Sequence, residues 1–224
     1  VYEGCVNNKF SRLFFVSFLA LFLELLLIRY LAVEIRFFMF FKNFVLMAAF
    51  LGLGLGIGNA RKSSSVFGIY PPLAVLVPIA VFAQELNINL GFLPTADNSF
   101  IWYSWLNFDA GKELLAVFTS CLGLTLLVAM VFFPLGQVIG RLLMELPPAR
   151  SYAWDLCGSI AGVAAYSATA FFGWSPKFCM ILALIAAIPL ISGRRLKLAA
   201  AAITFSLAVV VSCFNAVPSW SPSG

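Results

Sequence analysis

Apolar residues in this chain fall in long unbroken blocks, where a soluble protein would alternate or show a striped pattern. Seven blocks stand out, at about 13–33, 44–60, 69–84, 114–139, 152–174, 178–191 and 198–214. A helix needs about 20 predominantly apolar residues to cross the hydrocarbon core of a bilayer, and the third and sixth blocks are short by that measure. The blocks run to about three times the length of an ordinary strand. The pattern therefore predicts an all-α fold, a polytopic transmembrane helix bundle of about seven spans, with six and eight as neighbouring counts. On this reading residues 1–216 form one transmembrane helical domain and 217–224 begin a linker or C-terminal tail. The aromatic run at 37–41 either extends the second span or lies in the interface.

Composition narrows the class. Of 224 residues, 62% are hydrophobic and only 10% charged, and mean hydropathy is +1.02. Soluble domains average about 45–50% apolar and about 25% charged, so too little polar surface is available to cover a soluble globule. The net charge of +5 is accounted for by orientation without invoking nucleic acid. With the N-terminus inside, Lys9, Arg12, Arg61, Lys62, Arg141, Arg150, Arg194, Arg195 and Lys197 fall on the inner side. Only Arg36, Lys42, Lys112 and Lys177 fall on the outer side. Cytoplasmic loops carry the excess of Lys and Arg, which favours a cytoplasmic N-terminus. Seven spans then place the C-terminus outside, and six or eight place it inside.

The chain contains no histidine, which excludes Ser-His-Asp and Cys-His catalysis and His-ligated metal sites. Cys5, Cys121, Cys157, Cys179 and Cys213 form no C-x-x-C pair, and four of them sit in apolar stretches. They read as small buried hydrophobes, with no metal site expected. The one substantial loop, about 85–112, carries Trp102, Tyr103 and Trp105, which reads as an interfacial aromatic belt. No cofactor is expected.

Gly52, Gly54, Gly56 and Gly58 lie in LGLGLGIGN. A phosphate-binding glycine loop requires a preceding strand in a soluble βαβ unit, and none is present. Instead, Gly52/Gly56 and Gly54/Gly58 form small-xxx-small pairs, which let helix backbones approach closely. The spacing recurs at Gly136/Gly140 and Gly158/Gly162. The segments 53–58 and 135–140 agree at four of six positions, 82 residues apart, so a parallel internal repeat of the kind found in transporter halves is one reading.

Ionisable groups inside spans are costly and mark functional candidates. Glu24 falls midway along the first block and Arg29 five residues later. Five residues separate them by roughly 140° around a helix, so each is expected to reach a partner on another helix, or Arg29 to snorkel outward. Asp155 near the start of the fifth block is either a helix-dipole cap or a functional carboxylate. Gln137 adds a polar group in the fourth. Glu24, Arg29, Gln137 and Asp155 make up the candidate intramembrane polar site.

Several segments together resemble one family. LFLELLLIRYLAVE followed by AAFLGLGLGIGNARK is similar to the opening of the membrane-embedded spermidine synthase-like proteins, where an E-x-x-x-x-R span precedes a glycine-rich helix and a basic turn. PLGQVIGRLLMELPPARSYAWDLCGSIAGVAAYSATAFFGWSP resembles that family's second hallmark, a tyrosine and an acidic residue before an L-x-G-S-x-x-G helix. Pro218-Ser219-Trp220-Ser221-Pro222 resembles the W-S-P that introduces a soluble aminopropyltransferase-like domain, although Ser223-Gly224 departs from the usual continuation. The resemblance carries over to Glu24, Arg29, Gly52, Gly56, Tyr152, Asp155, Gly158, Ser159 and Gly162. It implies a membrane domain that anchors or regulates a synthase, or handles polyamines, with the substrate sites in a Rossmann-like domain outside these residues. Two other expectations stand beside it: a non-enzymatic subunit of a larger membrane complex, and a small transporter. The expected setting is a bacterial inner membrane, with membrane-protein partners or self-association through the glycine faces and no nucleic acid.

Overall fold

The structure, a computed structural model, describes residues 2–34, 42–61, 65–85, 110–191 and 193–215. Within them the chain forms seven α-helices: α1 (Tyr2–Glu34), α2 (Lys42–Gly58), α3 (Tyr70–Glu85), α4 (Ala110–Glu145), α5 (Pro148–Phe171), α6 (Pro176–Ala187) and α7 (Arg194–Asn215). Short 3-10 turns lead into α3 (Val66–Ile69) and extend α6 (Ile188–Leu190). No strand occurs among the described residues, and each of the seven apolar blocks falls on one helix. Two stretches, Asn8–Val33 and Cys121–Glu145, are long and apolar enough to cross a membrane, and three shorter apolar helices accompany them. The aromatic run at 37–41, the loop residues Trp102, Tyr103 and Trp105, and the Trp220-Ser221-Pro222 segment lie outside the described residues.

α1 is the hub. It packs against α2, α3, α4, α5 and α6, and its Leu13, Leu23, Leu26, Leu27, Tyr30 and Leu31 are fully buried. Two pairs are closest. Gly158 and Gly162 of α5 press on the carbonyls of Phe14 and Phe18 in α1, and Trp154 and Tyr166 continue that row against Phe10 and Phe22. Contacts thus advance by four residues on both helices together, so α1 and α5 run parallel. In the second pair, Gly52 meets Ala129, Gly56 meets Phe133 and Gly136, and Gly140 meets Ile57 and Ala60. α2 and α4 therefore also run parallel, and the two LG-x-x-IG segments that resemble each other are packing partners.

Tyrosine hydroxyls tie further elements together. The Ile188 N–H bonds to Ile185 as α6 tightens into its 3-10 turn. That leaves the Leu184 carbonyl without its usual donor, and the buried Tyr70 hydroxyl donates to it at 2.7 Å. Tyr30 donates to the Val77 carbonyl at 3.3 Å. The outer surface is largely apolar: Met47 is 65% exposed, Phe205 72% and Phe171 87%.

Candidate functional site

Three of the four candidate polar residues lie along or beside the α1–α5 seam. The Ser17 hydroxyl of α1 donates to the Asp155 carboxylate of α5. Two turns further along α1, Glu24 is 3% exposed and its Oε2 has no hydrogen-bond partner among the described residues. The Arg29 guanidinium reaches the Tyr166 hydroxyl on α5. Gln137 stands apart, buried on α4, with its amide donating to the Asn59 carbonyl at the end of α2 at 3.4 Å. The structure thus separates Gln137 from the other three.

Asp155 is not a helix cap. α5 starts at Pro148, with Pro147 as its N-cap residue and no acidic residue in the first turn. Asp155 therefore lies two turns inside the helix, half-buried, where its charge is met by a hydroxyl across the seam. Hydrophobicity alone placed the start at residue 152. The signal that locates it is the Pro-Pro step, since proline suits the first helical position, where its missing N–H costs nothing.

The glycines divide by phase. Methyl groups at Gly52, Gly56, Gly136, Gly158 or Gly162 would run into the backbone of the facing helix. At Gly140 the nearest atoms are the Ala60 side chain and the Ile57 backbone. Gly54 and Gly58 meet no atoms of the described residues, so among these only one of the two small-residue faces of α2 is used. Of the family-like positions, Tyr152 is 66% exposed and Ser159 half-buried. Cys121, Cys157 and Cys179 are free thiols, and no group that could hold a metal ion occurs among the described residues.

The residues that sequence reasoning missed gather at one end of the bundle. A cleft of about 540 Å³ opens between the first turns of α1, the last turns of α4 and the 3-10 turn after α6. Lys9, Arg12 and Arg141 line it together with Gln137 and one acid, Glu145. Lys9 pairs with Glu145 at 2.8 Å. Arg12 reaches the Leu190 carbonyl at 3.5 Å, and its Nε is buried without a partner among the described residues. All three cations were on the inner side in the positive-residue count; nothing in their spacing brings α1 and α4 together.

Comparison of the chain with family models, with curated proteins and with solved structures finds no match in any of the three. The resemblance to the spermidine synthase-like family accordingly rests on the motifs alone.

Proposed function

We propose that this chain is a membrane-embedded helical scaffold that anchors a catalytic domain or partner subunit, in the manner of the membrane part of spermidine synthase-like proteins. It crosses the membrane seven times with its N-terminus in the cytoplasm, in a bacterial inner membrane. The observation that carries the reading is the parallel pairing of α1 with α5 and of α2 with α4, through glycine contacts and under an apolar exterior. Helices two or four crossings apart must run parallel in a chain that threads back and forth. Where lipid removes the hydrophobic drive between helices, close backbone approach through glycine is how they associate. Three polar side chains of the interior tie elements together: Ser17 to Asp155, Tyr70 to Leu184, Gln137 to Asn59.

Membrane fractionation with a carbonate wash, followed by thiol labelling of single cysteines, tests this reading. In a cysteine-free background, Lys177→Cys and Arg194→Cys should label from opposite faces of sealed vesicles. Release by carbonate, or labelling of both from one face, would overturn it.

A second reading, a small transporter or cation-handling module, is favoured by the buried Glu24 with its unpartnered oxygen. A carboxyl so placed inside a bundle is by default a candidate for ligand or proton traffic. Glu24→Gln separates the two readings. A scaffold keeps its assembly and its melting temperature within a few degrees, whereas a transporter loses uptake in proteoliposomes.

A further inference from the structure

We infer that the cleft between α1, α4 and the turn after α6 is a binding site for a phosphate group, held as an anionic lipid headgroup. Its lining carries three cations, Lys9, Arg12 and Arg141, against the single carboxylate of Glu145. Among the described residues of the lining cations thus outnumber acids, and Glu145 is engaged by Lys9 at the rim. Arg12 supplies the second, independent observation. A guanidinium has five donors in a fixed fork, yet among the described residues the buried Nε of Arg12 has no acceptor, and the contact of its Nη2 to the Leu190 carbonyl is long, at 3.5 Å. A buried unfilled donor on a permanent cation is costly. A phosphate offers several acceptor oxygens and suits the paired-donor geometry of arginine.

The walls point to the lipid source. Phe15, Val138 and Leu142 line the same cleft, and Phe15 is 52% exposed, so an acyl chain has an apolar surface to follow away from the charged end. Basic pockets between transmembrane helices on the cytoplasmic side are where anionic headgroups bind. The lipid source, though not the phosphate chemistry, rests on the membrane reading above. Among the described residues the lining offers a single acid where a polyamine would need several, so the cleft is assigned to an anion.

The test uses the full chain purified in mild detergent, with phosphatidylglycerol, phosphatidylcholine and inorganic phosphate as separate probes and melting temperature as the readout. Phosphatidylglycerol should raise the melting temperature and phosphatidylcholine should not. The half-saturating concentration of phosphatidylglycerol should rise about tenfold in Arg12→Gln, the loss expected for one charge-assisted hydrogen bond. Arg141→Gln should weaken it comparably and carries the test if Arg12→Gln fails to fold. Stabilisation by inorganic phosphate alone, lost in the same variants, would keep the phosphate site and remove the lipid. Equal stabilisation by both lipids, or a response to phosphatidylglycerol that neither variant changes, would overturn the site. A chain that carbonate releases but that still binds phosphate would break the membrane reading alone; one that stays embedded and ignores all three probes would break the site alone.

Discussion

In the α2–α4 pair both helices contribute glycines, Gly52 and Gly56 from one and Gly136 and Gly140 from the other. In the α1–α5 pair only α5 does, and the facing stretch of α1 is Phe14, Ser17 and Phe18. The first seam brings backbone against backbone, with the Gln137 bond at its end. The second adds a hydroxyl–carboxylate hydrogen bond, an arginine–tyrosine contact and edge-on aromatic pairs such as Phe14–Trp154 at 6.1 Å. Two seams with the same direction and the same four-residue step therefore differ in what would survive a loss of close approach.

Gly56→Leu should have the largest effect, because the added side chain would meet the Phe133 carbonyl and the Gly136 backbone. Neither is a flexible side-chain end that can swing away. Overpacking of this kind costs about 3 kcal/mol or more when backbone must move, and both helices of this seam bring glycines to it. The variant should lose its single peak on size exclusion and melt well below the parent. A native-like peak and melting temperature would mean that α2 and α4 are not held by this contact.

Gly158→Leu tests the other seam by the same chemistry, against the Phe14 carbonyl. The cost should be smaller, about 2 kcal/mol, since the aromatic pairs and the Ser17–Asp155 bond can hold the helices together at a wider spacing. Thermal melting beside Gly56→Leu checks the order. A larger loss at Gly158 would show that the polar contacts themselves need the close approach.

Asp155→Leu leaves the Ser17 hydroxyl without its acceptor. Ser17 is 1% exposed, so the loss should be about 1 kcal/mol, near the modest value found for hydrogen bonds between helices in membranes. Ser17→Ala in the same background should add nothing further, and this double-mutant comparison by melting isolates the bond. Additive losses would mean that the two residues act separately.

What the sequence made legible follows from these contacts. Helix number was readable because each apolar block is far too long for a strand, and close packing was readable because four-residue glycine spacing has one main use on a helix. Glycine spacing by itself could not choose between the two faces of α2, since both phases satisfy it. The neighbouring residues carry that choice. Val45, Ala48 and Ala49 continue the buried phase of Gly52 and Gly56, whereas Met47, Phe50 and Leu51 are exposed. The smaller side chains mark the face on which a backbone can approach. The basic cleft was not legible for a different reason. Arg12 and Arg141 meet only because antiparallel α1 and α4 end together, a fact of tertiary packing that no local pattern encodes.

Gly54→Leu is the sharpest control and the smallest expected change. Gly54 lies two residues from Gly56 in the same apolar sequence, yet a side chain there meets none of the described residues. Replacing a mid-helix glycine with leucine also removes a helix-propensity penalty of about 1 kcal/mol. The melting temperature in detergent should therefore stay level or rise by a few degrees, while Gly56→Leu collapses. Composition and four-residue spacing treat the two sites alike, so opposite outcomes can come only from which face of α2 meets α4. If Gly54→Leu instead broke the protein apart, that face would have to be covered in the assembled protein, and the α2–α4 seam would no longer be the one on which this helix depends.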